Sequence, residues 1–282
     1  MSQNHDFKSL PLSDPFMFAI AMHDEDICKL LLGHLLGNDV GPLRFIDDAL
    51  GLCGPIEAHS HGLGVYLAGK DGTRYYITTG TNKEEVPKAG RYYTSAITEQ
   101  LMEAKKNHED IGENWGEGIP DCYIVIVCGF DATGGGLPRY TVLRRVIGTS
   151  SSDRGLHFFD DGVRHIILNA EYTKENFQPL PILEFLDYFR NADDEAAFTT
   201  PLAQKVVEAV KEVRQNKEVE EDYMTYQMKL NDSYRRGSDA KLVFIVKRML
   251  KTMSPEQVAE IVDETPETIR NLMNEPDVPE NK

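Results

Sequence analysis

The chain has 282 residues, of which 41% are hydrophobic and 27% are charged, a balance typical of a globular protein. Forty-six acidic and thirty basic residues give a formal net charge of −16. This charge disfavours duplex DNA as the main partner, because DNA-binding proteins gain affinity by neutralising phosphates with lysine and arginine. No stretch approaches the roughly 20 consecutive apolar residues of a membrane helix, and residues 1–10 do not resemble a secretory signal. We therefore expect a cytoplasmic protein without a membrane partner.

The first 170 residues alternate between helical and strand patterns. An apolar periodicity predicts one helix over Asp14–Leu36, and two β-rich runs, Leu63–Ala68 and Thr73–Thr79, predict a hairpin around Gly69–Gly72. A helix is predicted from Lys88 to Lys106. The remaining strands are predicted at Leu43–Leu52, Cys122–Phe130, Arg139–Ile147 and His165–Asn169. The apolar run beginning at Cys122 is typical of a central strand buried on both faces.

The chain becomes helical after Glu171. Helices are predicted at Ile182–Phe189, Pro201–Arg214, Val219–Tyr234, Asp239–Lys251, Ser254–Val262 and Thr265–Met273. We therefore predict an α/β core over residues 1–175, a charged helical region over 176–252, and a small helical hairpin with a frayed tail over 253–282.

Several stretches, in this order and spacing, resemble one known family. They are Asp14-Pro15-Phe16-Met17-Phe18, His23–Leu31, Asp71-Gly72-Thr73, Pro87-Lys88, Arg91-Tyr92-Tyr93, Tyr123–Phe130, Ile167-Leu168-Asn169, Leu183–Tyr188, Val210–Val213 and Tyr223-Met224. The sequence is similar to the PD-(D/E)XK nuclease family transposases, which include recombination-promoting (Rpn-like) nucleases. The resemblance implies a restriction-endonuclease-like core of mixed sheet flanked by helices, with an α-helical C-terminal region.

The same resemblance implies a metal site that this sequence lacks. In the family, an aspartate on the first hairpin strand and a glutamate on the second bind Mg²⁺, and a lysine or glutamine follows two residues later. Here the three positions are Gly64, Thr78 and Gly80. On the next helix, Ala89 stands where an arginine is usual. We therefore expect no metal ligand, no catalytic residue and no cofactor.

Two alternatives would preserve a nuclease. The alignment would have to be shifted towards other carboxylates near the hairpin, which are Glu57, Asp71, Glu84 and Glu85. Otherwise the active-site acid would have to move onto the following helix, where Glu99 and Glu103 are the candidates. Either alternative would restore a requirement for Mg²⁺.

Four residues near the lost site are candidates for binding a phosphate-bearing ligand. Arg74, Lys88 and Arg91 supply positive charge, and Tyr92 supplies a ring for stacking. His59 and His61 have the spacing of a metal-ligand pair on a strand, but no third ligand is apparent, which favours a solvated loop. Gly134–Gly136 lacks the lysine of a phosphate-binding loop and is interpreted as a connector.

The two C-terminal helices have the outline of a helix-turn-helix. The second of them carries only one arginine, Arg270, whereas a helix that contacts DNA bases uses several basic and amide side chains. We therefore interpret this pair as a packing or dimerisation element, and a possible homodimer would use the helical half of the chain.

Three functional hypotheses follow. The first is a catalytically inactive, nuclease-like protein that acts by binding, linked to mobile elements or to phage and bacterial defence. Its partner would be a protein, which the acidic composition favours, or a phosphate-bearing ligand. The second is a Mg²⁺-dependent DNA endonuclease that promotes recombination with relocated acids. The third is a DNA-binding regulator that uses the C-terminal helices.

Overall fold

The computed structural model describes residues 6–46, 63–106, 119–146, 157–173, 181–191, 198–262 and 264–273. Within them the chain is an α/β protein with a mixed six-stranded sheet flanked by helices. No helix in these residues is long and apolar enough to cross a membrane. The predicted histidine pair His59 and His61, and the alternative acid Glu57, lie outside the described residues.

The strands, in chain order, are β1 Leu43–Phe45, β2 Gly64–Gly69, β3 Arg74–Gly80, β4 Cys122–Cys128, β5 Arg139–Val142, β6 Arg144–Val146, β7 His157–Phe159 and β8 Val163–Asn169. The large sheet has the order β1-β2-β3-β4-β8-β5. The three inner strands β3, β4 and β8 run parallel, and the flanking pairs are antiparallel. Strands β6 and β7 form a separate two-stranded sheet.

The helices are α1 Pro15–Ala21, α2 Glu25–Leu36, α3 Val86–Lys106, α4 Leu183–Arg190, α5 Pro201–Gln215, α6 Lys217–Met249, α7 Pro255–Val262 and α8 Pro266–Met273, preceded by a 3-10 turn at Phe7–Ser9. The chain divides into two compact units, residues 1–223 and 224–282. This division coincides with neither boundary predicted from the sequence, 175/176 or 252/253. The reason for the first difference is that α5 packs with α1, α2 and α4 in the first unit.

The predicted hairpin and central strand are confirmed. Strands β2 and β3 pair antiparallel through a turn in which Asp71 accepts hydrogen bonds from the backbone nitrogen and the hydroxyl of Thr73. Strand β4 lies between β3 and β8 with both neighbours parallel. A continuous apolar run suits this position because both faces of the strand are covered.

Helix α3 connects β3 to the parallel strand β4 and packs on one face of the sheet. Its buried residues Tyr93 and Ile97 meet a cluster supplied by alternate positions of the strands. The strand members of this cluster are Tyr66, Tyr76, Cys122, Ile124, Ile126, Cys128 and Ile167. The position of α3 on the sheet therefore determines which side chains surround the end of β3.

The prediction of one helix over Asp14–Leu36 is wrong, because the structure has two helices, α1 and α2. The break follows Met22. Asp24 then begins a new helix, and its carboxylate accepts hydrogen bonds from the backbone nitrogens of Asp26 at 2.8 Å and Ile27 at 3.0 Å. An N-cap aspartate inside an apolar periodicity is sufficient to restart a helix.

Two further predictions of element boundaries are wrong. The two helices predicted over Val219–Tyr234 and Asp239–Lys251 are one continuous helix, α6. Glycine in a helix interior costs only about 1 kcal/mol, so Gly237 does not stop it. Conversely, the strand predicted from Arg139 is divided into β5 and β6, which belong to different sheets.

The start of α5 is capped by a side chain from α4. The carboxylate of Glu184 accepts hydrogen bonds from the backbone nitrogens of Thr199 and Thr200, each at 2.7 Å, and from their hydroxyls at 2.7 and 2.8 Å. The N-cap residue Thr200 makes no side-chain capping bond itself. Burial opposes ionisation of Glu184, but the four hydrogen bonds outweigh it and hold its pKa below the ordinary value.

Replacing this cap should destabilise the first unit. We expect Glu184→Ala to lower the free energy of unfolding by about 1–2 kcal/mol at pH 7, measured by urea denaturation. Because the folded pKa of Glu184 is lowered, its contribution is complete above the unfolded pKa and is lost as the pH falls through the folded pKa. The difference from the unmodified protein should therefore shrink below about pH 4.5.

The matched control is Glu212→Ala, which removes an exposed carboxylate from α5, the helix that Glu184 caps. We expect a change within about 0.5 kcal/mol for this variant. Equal losses in the two variants would contradict a capping role for Glu184.

Candidate functional site

The three positions that the resemblance assigns to a metal site lie together at one end of the β2–β3 hairpin. Gly64 on β2 is directly opposite Thr78 on β3, and Gly80 is the last residue of β3. The structure therefore brings together the positions that the resemblance groups. Their surroundings determine whether they have room for metal ligands.

Gly64 has no room for a side chain. A Cβ atom there would lie 2.6 Å from the carbonyl oxygen of Ile77 and 2.9 Å from both Cζ and the hydroxyl oxygen of Tyr76. The first of these contacts is with backbone, which cannot rotate aside. An aspartate at this position would require the hairpin itself to move.

Thr78 is fully buried and its hydroxyl is already used. Its Oγ1 donates a hydrogen bond of 2.8 Å to the carbonyl oxygen of Leu63. The hydroxyl of Tyr93, on α3, is hydrogen-bonded to the side chains of Thr78 and Tyr76. Burial raises the pKa of Tyr93 to about 12, so the phenol is neutral at physiological pH. The space in front of Thr78 is occupied by a hydrogen-bonded cluster of neutral groups.

Gly80 is enclosed by apolar and sulfur atoms. A Cβ atom there would lie 2.7 Å from Sγ of Cys128 and 3.1 Å from Cγ2 of both Ile126 and Val86. A lysine or glutamine at this position would not fit without repacking α3 on the sheet. Burial also raises the pKa of the Cys128 thiol to about 12.

The alternative acids do not assemble a metal site in the described residues. No group of three or more histidine, cysteine, aspartate or glutamate side chains there is placed to bind one ion. Glu99 and Glu103 are exposed on α3, and Glu99 lies about 200° around the helix from buried Ile97. Asp71 stabilises the hairpin turn instead, and Glu84 is exposed before α3. The residues present do not fit a Mg²⁺ ion bound as in the family.

A cavity of about 560 Å³ lies beside the closed site, and we call it the β3–α3 cavity. It is formed where the end of β3 and the following loop meet the first three turns of α3. Its inner residues are Gly80, Val86, Ala89, Tyr93 and Ile126, and its outer residues include Asn82, Glu85, Lys88, Arg91, Tyr92 and Ser95. Ala89, where the resemblance leads one to expect an arginine, leaves part of this volume open.

Three of the four predicted ligand-binding residues line this cavity, and Arg74 does not. Lys88, Arg91 and Tyr92 lie along one exposed face of α3. Arg74 is at the other end of β3, about 20 Å from Gly80 along the strand, and its Nη1 donates to the carbonyl oxygen of Gly72 at 2.6 Å. Arg74 is therefore a turn-stabilising residue that is set apart from the cavity.

The sequence analysis did not identify His165, which holds α3 against β8. Its Nε2 is 2.9 Å from the hydroxyl of Thr94, and a Cβ on Gly90 would lie 2.8 Å from its Nδ1. Burial lowers the pKa of His165, Arg144 lowers it further, and Asp161 opposes these effects. In the sequence, His165 is only a histidine at the start of an apolar strand, and this pattern does not indicate that its ring contacts α3.

Two matched glycine substitutions test the closure of the site. We expect Gly64→Ala to lower the free energy of unfolding by about 1–3 kcal/mol, because its methyl group would collide with the β3 backbone. The control is Gly129→Ala, whose Cβ would meet only Cε1 of Phe189, at 3.9 Å. Urea denaturation of both variants measures the difference, and equal effects would show that Gly64 is not tightly enclosed.

Protonation of His165 should weaken the fold. Since the folded pKa is lowered, the contribution of the neutral ring is complete above the unfolded pKa of about 6.5 and is lost as the pH falls through the folded pKa. The stability lost between pH 8 and pH 5.5 should therefore be smaller in His165→Gln than in the unmodified protein. An identical loss in both proteins, measured by urea denaturation, would refute this assignment.

Comparison with known proteins identifies no relative of this chain. No protein-family model, no curated protein and no solved structure matches this chain. The α/β architecture with its mixed sheet therefore stands on the structure itself, and the resemblance to PD-(D/E)XK nucleases stays a prediction.

Proposed function

We propose that this chain is a restriction-endonuclease-like protein that has no catalytic metal site and acts by binding. The observation that carries the proposal is the enclosure of Gly64, Thr78 and Gly80 by packed neutral groups. Phosphodiester hydrolysis by a metal-dependent nuclease needs carboxylates at such positions to hold Mg²⁺ and to generate a nucleophile. The mixed sheet with α3 connecting β3 to β4 is compatible with the proposed family.

The packing around Gly64, Thr78 and Gly80 favours the interpretation that other side chains have taken the place of the metal ligands, over the interpretation that the ligands were simply lost. Thr78, Tyr76 and Tyr93 satisfy one another by hydrogen bonds in a buried place, where unpaired polar groups would cost about 1–3 kcal/mol each. The rings of Tyr76 and Tyr93 are 4.5 Å apart between centroids, which adds aromatic packing. This arrangement supports a fold that is maintained for a purpose other than cleavage.

The partner is a protein or a phosphate-bearing ligand, in a context of mobile elements or of defence against phage. The net charge of −16 supports a protein partner over duplex DNA. In the C-terminal unit, Arg270 is the only arginine of α8, and its Nη2 forms a 2.6 Å ion pair with Oε1 of Glu256. This pairing argues against α8 as a DNA-contacting helix.

Calorimetric titration with Mg²⁺ and Mn²⁺, together with a plasmid-cleavage assay on the same preparation, tests the proposal. We expect no saturable heat at millimolar metal and no nicking above that of a mock purification. Cleavage that survives stringent purification and disappears in Glu99→Ala or Glu103→Ala would overturn the proposal and establish a nuclease with relocated acids.

A DNA-binding assay at two salt concentrations distinguishes the proposed function from the hypothesis of a DNA-binding regulator. We expect no binding beyond weak association. Tight binding that falls steeply with salt and disappears when residues 253–282 are removed would identify a DNA-binding regulator instead.

A further inference from the structure

The β3–α3 cavity has the size of a small-molecule site. Its volume of about 560 Å³ lies within the roughly 300–1,000 Å³ that such pockets usually occupy. It is formed by the end of β3, Ile126 of β4, one loop and one helix of the same compact unit, so its shape does not depend on a second domain. Ala89 and Ser95 contribute little side-chain volume, which is why the space stays open.

The inner wall is mostly apolar, and one buried hydroxyl of a lining residue, Oγ1 of Thr79, has no hydrogen-bond partner in the part of the chain that the structure describes. Val86 and Ile126 are buried at the inner end. Asn82 donates from Nδ2 to Glu85 at 3.3 Å and accepts from the backbone nitrogen of Glu84 at 3.0 Å. The hydroxyl of Ser95 donates to the carbonyl oxygen of Arg91 at 3.0 Å. Apart from Oγ1 of Thr79, the described inner lining offers a ligand few side-chain hydrogen-bonding groups, so the inner part of a ligand is expected to be apolar or aromatic.

The outer wall carries two cations one helical turn apart. Lys88 and Arg91 are at positions i and i+3 of α3, and within the described residues neither side chain forms an ion pair or a hydrogen bond. Glu85 is the single acid among the described residues that line the cavity, beside the two cations Lys88 and Arg91, so these residues give the mouth a positive charge in a chain of net charge −16. Lysine and arginine at such a mouth suit the oxygen atoms of a phosphate or a carboxylate.

Tyr92 adds an aromatic surface at the same mouth. Its side chain is 45% exposed, and its ring packs edge-on to Tyr93 with centroids 5.6 Å apart. An exposed ring beside two cations is suited to cover a flat apolar group whose charged end reaches solvent. The cavity thus separates an apolar interior from a cationic mouth over the first three turns of α3.

We propose that the β3–α3 cavity binds an organic anion that has an apolar or aromatic body and one oxyanion head, either a phosphate or a carboxylate. The body lies against Val86, Ala89 and Ile126, and the head lies between Lys88 and Arg91. This inference rests on the proposed function, because it gives a ligand class to a protein that acts by binding. Inorganic phosphate alone would gain nothing from the apolar wall, and a neutral aromatic compound would gain nothing from the cations.

Calorimetric titration of the full chain in metal-free buffer with EDTA tests the ligand class. The probes are 2-naphthyl phosphate and 2-naphthoate, which share a body and differ in the head. Inorganic phosphate and 2-naphthol supply the head and the body alone. We expect saturable binding of at least one naphthyl acid with a dissociation constant below about 1 mM, and at least about tenfold weaker binding of each part alone.

Variants locate the binding. We expect Lys88→Gln/Arg91→Gln to weaken binding by about tenfold or more, because the double substitution removes both charge-assisted contacts. The control Lys70→Gln/Arg145→Gln makes the same change in net charge at exposed residues that do not line the cavity, and we expect an affinity within about twofold of the unmodified protein. Ala89→Phe fills the cavity and should also abolish binding, with its melting temperature measured to verify folding.

The outcomes separate the ligand sources. Binding of the phosphate probe only identifies phosphate monoesters, binding of the carboxylate probe only identifies organic acids, and binding of both identifies a general oxyanion site. The inference is overturned if neither acid binds, if the two double variants bind equally well, or if inorganic phosphate binds as tightly as naphthyl phosphate. Metal-dependent plasmid cleavage would refute the proposed function separately, since the titrations contain EDTA.

Discussion

The contact between α3 and the end of β3 is the constraint on which the rest of this structure depends. Tyr93 packs on Tyr76 and is hydrogen-bonded to Thr78, and these three side chains fix the height and rotation of the helix over the sheet. The next residue of α3, Thr94, contacts His165, and this contact holds the helix over β8. Because neutral groups are hydrogen-bonded to one another in a buried place, the helix position is specific as well as stable.

This one contact has two opposite consequences for the neighbouring space. In front of Thr78 it fills the volume that metal ligands would need, because the phenol of Tyr93 reaches the strand. One turn earlier on the helix, Ala89 is too small to fill the gap between α3 and the sheet, and the β3–α3 cavity remains. The same helix position therefore fills the space beside Thr78 and leaves a pocket with a cationic mouth next to it.

Much of the sheet could be predicted from the sequence because its signals are local. The hairpin turn with Asp71, the apolar run from Cys122 and the tyrosine-bearing helix after Pro87 each depend on residues close in the chain. The failures concern signals that are also local but do not change the apolar periodicity. The restart of a helix at Asp24 was hidden within an uninterrupted apolar periodicity, and the continuity of α6 through Gly237 depends on small differences in helix energy that periodicity does not measure.

The sequence by itself determined which side chains are absent from the candidate site, since glycine and threonine at Gly64, Thr78 and Gly80 supply no carboxylate whatever the fold. Only the tertiary structure decided what occupies their place. The collision at Gly64, the cavity beside Lys88 and Arg91, and the separation of Arg74 all depend on side-chain volumes and strand lengths contributed by segments far apart in the chain. Such volumes add only when the segments pack, which a linear pattern does not record.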